Sequence, residues 1–275
     1  MAEIVAALGV PHGPALPAEV ARQGPTHPAA QLFDQVKTHL DAVNPDVLVV
    51  FDSDHLNTFF LDNLPLLSVG VADHTSGPND GTPAIPRCEV PVHEGLAGAI
   101  RTHGLNREFD LGVTQEFEVD HSILVPLHFL TPSMRLPIVP IFIGGIVPPL
   151  PLARRCFALG QMVREAVAAW PEPLRVAILA SGSLSLDIGG PLAPVGQIAG
   201  VADPAWVDEI LTYLKDARHD DLLNAATADR LARAGNIGGE LLNWIALLGA
   251  LGPRRPVLVE KLIAHGDGFA AWRWD

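Results

Sequence analysis

Two short stretches carry the residue types best suited to chemistry. In "VVFDSDHLN" (49–57) an apolar run ends and Asp52, Asp54 and His55 follow at once. In "ALGVPHGP" (7–14) another apolar run ends, and His12 stands just beyond it. Imidazoles change charge near neutral pH and donate lone pairs to metals. In α/β sheets, ligands bind outside the carboxyl ends of strands. Two strands joined by a right-handed crossover would therefore present both imidazoles on one rim. The plainer reading is also open: strand-end histidines serve as caps or surface residues, and strand-end carboxylates as solvated charges.

The elements that must position these groups follow from the hydrophobic pattern. Residues 4–10 and 46–51 are short apolar runs with β-branched residues, the pattern of buried strands. Between them Leu32, Phe33, Val36, Leu40 and Val43 recur at helical spacing. Strand, helix, strand within fifty residues is a βαβ unit, so the fold class expected is α/β. Further strands are expected at 64–72, 136–143 and 174–180. Helices are expected at 93–103, 151–169, 204–217 and 237–249. Residues 73–92, rich in Gly, Pro, Asn and Asp, read as a long surface loop. No linker or repeat divides the chain, so residues 1–275 are read as a single domain with a central mixed sheet flanked by helices and the site at the carboxyl rim.

Composition narrows the function. The net charge is −13, which argues against nucleic acid and against an anionic membrane surface. Cys88 and Cys156 are the only cysteines and form no CxxC, as expected of a reduced, cytoplasmic protein. The most apolar window, "LPIVPIFIGGIVPPLPLA", holds five prolines and reads as strand then loop rather than a membrane span. The N-terminus lacks the pattern of a signal peptide.

Five motifs in order carry a resemblance: "PHGP" near the start, "DSDHLN" after the second strand, "VDHSILVPL" at 119–127, "SGSLS" at 181–185 and "GNIGGELLNWIALLGAL" at 235–251. Together they resemble the class III (LigB-type) extradiol ring-cleavage dioxygenases, from residue 5 to about 252. The resemblance implies an Fe(II) site of His12, His55 and Glu240, and His121 as the acid–base group. Two histidines and one carboxylate on one face leave coordination positions open, as in non-haem Fe(II) oxygenases. The same donors also suit zinc. Glu240 has a bland reading too, as a first-turn acid favoured by the helix dipole. Gly235, Gly238 and Gly239 around it are expected to let the backbone pass close to the metal. Asp52 and Asp54 are candidate partners for the ring N–H of a metal-bound histidine. Ser185 and Leu186 are pocket candidates, as are His27 and His265.

In the family, a second active-site histidine usually follows the motif that here reads "SGSLS"; in this chain that position is Leu186. An isobutyl group neither hydrogen-bonds a phenolate nor moves a proton. The resemblance thus implies O2-dependent cleavage of a catechol, aminophenol or hydroxypyridone ring, with a small aromatic substrate and a homo-oligomeric state. A non-catalytic subunit of a hetero-oligomeric dioxygenase and a zinc-dependent hydrolase are the alternatives.

Overall fold

The computed structural model describes residues 1–193, 195–262 and 266–274. In chain order the strands are β1 (Ala2–Val10), β2 (Val47–Asp52), β3 (Leu67–Gly70), β4 (His74–Gly77), β5 (Cys88–Pro91), β6 (Gly112–Thr114), β7 (Ile138–Ile143), β8 (Leu174–Ser181), β9 (Asp187–Ile188), β10 (Ala199–Gly200), β11 (Leu258–Leu262) and β12 (Asp267–Arg273). The helices are α1 (Leu16–Gln23), α2 (Pro28–Val43), α3 (Glu94–Asn106), α4 (His121–Leu130), α5 (Ala153–Ala169), α6 (Pro204–Lys215), α7 (His219–Ala225), α8 (Ala228–Arg233) and α9 (Leu241–Leu251).

Eight strands form one mixed sheet in the order β11-β12-β1-β8-β2-β7-β3-β6. Its centre, β1-β8-β2-β7, is parallel. Parallel strands are covered on both faces and so read as continuous apolar runs; all six residues of β2 and of β7 are buried. Side chains alternate between two cores. Val47, Val49 and Phe51 face α3, α5 and α9, whereas Leu48 and Val50 face α2 and α4. Among the described residues no helix is long and apolar enough to cross a membrane.

The structure supplies the strand order and corrects one expectation. Strands β1 and β2 are not neighbours, because β8 lies between them and pairs in parallel with both. Residues 73–92 are not wholly loop, because β4 and β5 form an antiparallel hairpin. These short strands pair with each other outside the main sheet, so they lack the apolar period that marks a core strand.

Helix α9 is buried on every side, which explains its uninterrupted hydrophobic sequence. It runs against α5 so closely that a Cβ on Gly160 would lie 1.8 Å from the carbonyl oxygen of Ala246. Only glycine permits that approach.

Candidate metal centre

The carboxyl ends of β1, β8 and β2 converge on one point. Beyond β1, Pro11 cannot donate to a ladder and the chain turns, leaving His12 only 3% exposed. Beyond β2, Asp54 accepts hydrogen bonds from the backbone N–H of Thr58 (2.8 Å) and Phe59 (2.9 Å). That capped turn holds His55. Glu240 ends a 3₁₀ turn, Gly238–Glu240, that leads into α9, and it is fully buried. A Cβ on Gly239 would meet the Gly145 carbonyl oxygen at 2.0 Å, so this turn is wedged against the loop after β7. Helix α9 is tied to the end of β8 as well: Asn243 Nδ2 donates to the Ser181 carbonyl (2.8 Å) and Trp244 Nε1 to that of Gly182 (2.9 Å).

Nε2 of His12 lies 2.9 Å from Glu240 Oε1, and Nε2 of His55 lies 3.0 Å from the same oxygen. The other carboxylate oxygen, Oε2, accepts the backbone N–H of Ser183 at 2.6 Å. The hydrogen bonds assign the tautomers. Ser181 Oγ donates to the Ser122 carbonyl, so it accepts from His12 Nδ1 at 2.8 Å. Asp120 Oδ2 accepts from His55 Nδ1 at 3.3 Å. Both rings therefore carry hydrogen on Nδ1, and each brings Nε2 to the same carboxylate oxygen. The two imidazoles and the carboxylate meet as hydrogen-bonded pairs, and on binding a divalent cation they would release the protons they share. The donor set fits a divalent metal, and each imidazole has the outer hydrogen-bond partner that metal-bound histidines use.

The two rings ionise differently. Burial pushes the His12 pKa down, only partly offset by Glu240, so its ring stays a neutral donor. Burial also opposes charge on His55, but hydrogen bonds to Asp120 and Glu240 prevail and raise its pKa. Burial would raise Glu240 and Asp120; contacts with the imidazoles instead hold both carboxyls well below the usual range.

His121, the first residue of α4, stands beside the pair. Its ring centroid is 4.3 Å from that of His55 and 5.4 Å from that of His12. One nitrogen from each of the three rings lies within 4.8 Å of the others, so geometry brings His121 to the centre without deciding whether it binds metal or moves protons. Its Nδ1 is hydrogen-bonded to Asp80 Oδ2. Burial would raise the Asp80 carboxyl, but this bond and the one from Thr82 hold it at about 2.

Other expected residues lie elsewhere or act differently. Asp54 faces its own turn, and Asp52 faces Ser122 Oγ at 2.8 Å; neither reaches an imidazole nitrogen. Ser185 Oγ donates to the Ala234 carbonyl and accepts the N–H of Asp203, bridging loops. Leu186 is half-buried, and its carbonyl accepts the N–H of Ile237. His27 caps α2 by accepting from Ala29 N, and His265 lies outside the described residues. The reading of the sequence missed Asp120, Asp80 and Ser181. Asp120 adjoins His121, and Ser181 opens the "SGSLS" stretch already singled out.

Comparisons with known proteins bear on the chain as a whole. The family model described as the catalytic LigB subunit of aromatic ring-opening dioxygenase matches residues 6–271. The chain belongs to the LigB family. A 2,3-dihydroxyphenylpropionate/2,3-dihydroxicinnamic acid 1,2-dioxygenase of Burkholderia vietnamiensis is 32% identical over 199 residues, 70% of this chain and 59% of the relative. A gallate dioxygenase of Pseudomonas putida is 30% identical over 184 residues, 66% of this chain and 50% of the relative. The chain thus spans only about half to three-fifths of these two LigB relatives. An uncharacterized protein of Escherichia coli K12 shares the fold with a TM-score of 0.60 at 15% identity, covering 97% of this chain and 98% of that one.

Behind this LigB centre lies the buried Asp267, hydrogen-bonded with Ser183. Burial, with help from the Glu240 charge, pushes its carboxyl up to about 7. The native state therefore holds a proton that the unfolded chain releases near pH 3.8. The resulting stability is full below that value and is lost as pH rises through about 7. Three pH units correspond to at most roughly 4 kcal/mol. Asp267→Asn should melt higher than the parent at pH 8 and converge with it toward pH 4, both in chelator. Parallel melting curves across that range would show that Asp267 does not carry the slope.

Proposed function

We propose that this chain is an Fe(II)-dependent extradiol dioxygenase that uses O2 to open an aromatic ring bearing adjacent hydroxyl, or hydroxyl and amino, groups. The observation that carries this reading is the meeting of His12 Nε2, His55 Nε2 and Glu240 Oε1 at one point with His121 alongside. His12, His55 and Glu240 would hold the metal. Iron(II), when bound, supplies the one-electron chemistry that O2 needs to react with a closed-shell ring. The protein does the rest. Ser181 and Asp120 fix the imidazole tautomers, and Ser183 N–H holds the carboxylate. With Nδ1 of His121 engaged by Asp80, Nε2 is the nitrogen left to take a ring hydroxyl proton and return it to the product.

Leu186 bears on the substrate. A ring edge packed against leucine should lack a hydroxyl, because a buried polar group there would go unpaired at about 1–3 kcal/mol. Leu186→His should raise turnover of plain catechols and lower, or leave flat, turnover of the preferred substrate. A hundredfold gain on the preferred substrate would mark Leu186 as a lesion, which is also what a non-catalytic subunit would carry.

The test of the whole reading is anaerobic purification with metal analysis, then oxygen-electrode assays on catechols, dihydroxyphenylpropionate-like and gallate-like acids, and aminophenols. Stoichiometric iron with O2 uptake and a ring-opened product is expected. Zinc with hydrolytic activity, or no metal and no uptake on any substrate, would overturn it.

A further inference from the structure

Asp52 is fully buried at the end of β2, and the metal centre as described gives it no task. Its Oδ2 lies 2.8 Å from Ser122 Oγ, and its Oδ1 has no hydrogen-bond partner. The same Ser122 hydroxyl contacts Asp120 Oδ1. One hydroxyl proton cannot serve two carboxylate oxygens, so one of the acids must bring a proton of its own.

The surroundings decide which. Asp120 also accepts from the backbone N–H of Ser122 (2.9 Å) and His55 (3.1 Å), from Asn57 Nδ2 (3.0 Å) and from His55 Nδ1 (3.3 Å). A carboxylate that receives this many donors is the anion. The groups that act electrostatically on Asp52 are the carboxylates of Asp120 and Asp54, the His55 ring and the Ser122 hydroxyl, with burial the largest influence. Two of those groups are acids, and a lone buried carboxylate with an unpaired oxygen is among the costliest arrangements a core can hold. As a neutral acid, Asp52 resolves the conflict. Its proton points to Ser122 Oγ, and the Ser122 proton points to Asp120.

We propose that Asp52 is a neutral carboxylic acid whose proton goes to Ser122 Oγ, so that the Ser122 hydroxyl is directed at Asp120, the carboxylate that orients His55. Asp52 is a positioning residue and touches neither substrate nor metal. Its effect on metal binding rests on the ligand role proposed for His55, but its own protonation does not.

The experiment has two arms. In metal-free parent protein at pH 8, the Asp52 side-chain carboxyl carbon, assigned by through-bond NMR, should show the shift of the acid. An Asp52 carbon with the shift of a carboxylate overturns the proposal, and this arm needs neither iron nor a variant. In the second arm, Asp52→Asn keeps a donor toward Ser122 and should bind Fe(II) anaerobically within about threefold of the parent. Asp52→Leu should bind at least about tenfold more weakly. Asp52→Asn weakening iron as much as Asp52→Leu also overturns the proposal. If the parent itself binds no iron, the proposed function fails while the first arm still judges Asp52.

Discussion

Glu240→Gln is expected to weaken Fe(II) binding by at least about a hundredfold, or about 2.7 kcal/mol, while the metal-free protein stays folded. Glutamine keeps the shape of the side chain and can still accept the Ser183 N–H, so the 3₁₀ turn and α9 keep their anchor. What it loses is the negative charge at Oε1, where both imidazoles converge. Without that charge, two neutral imidazoles remain as donors, a set that binds divalent iron poorly. Anaerobic titration with Fe(II) gives the affinity, and circular dichroism confirms the fold. Full iron occupancy in the folded variant would falsify the ligand assignment of Glu240. Histidine variants are weaker tests, because removing either ring also leaves Ser181 or Asp120 without its donor.

His121→Phe separates two roles that the geometry leaves side by side. The prediction is retained iron with turnover down by two to four orders of magnitude, roughly 3–5.5 kcal/mol of transition-state stabilisation. Phenylalanine fills a similar volume next to His55 and His12 and cannot exchange a proton. It also releases Asp80, which keeps its hydrogen bond from Thr82. The loss should fall on kcat more than on KM, since a proton-transfer group acts in the transition state. Loss of iron in step with loss of activity would reassign His121 as a third imidazole ligand.

Much of this arrangement can be read from residues alone, for identifiable reasons. Strands β2, β7 and β8 are buried on both faces, so each is a bare apolar run, and the sudden polarity at Asp52 and His55 marks where the sheet ends. Proximity in sequence misleads at the next step. Asp52 and Asp54 sit beside His55 in the chain, yet the carboxylate on its ring comes from Asp120, 65 residues on. A strand end sends successive side chains to opposite faces, so near neighbours seldom share a target. The insertion of β8 between β1 and β2 is equally hidden, because strand order is set by contacts across the chain and local pattern says nothing of it. The glycines near Glu240 do permit close approach, but to neighbouring backbone such as the Gly145 carbonyl.

The placement of β1 has a consequence for how the protein is made. Of the sheet's strands it is made first, yet its two partners are β8, which begins at Leu174, and β12, which ends at Arg273. Throughout most of synthesis both its edges are bare and apolar, the condition that invites pairing with other nascent chains. The proposed ligand set straddles the same gap, with His12 and Glu240 separated by 228 positions. No fragment that stops short of α9 can assemble the three donors. Metal capture at the proposed site would therefore come late by topology, only once translation has passed residue 240.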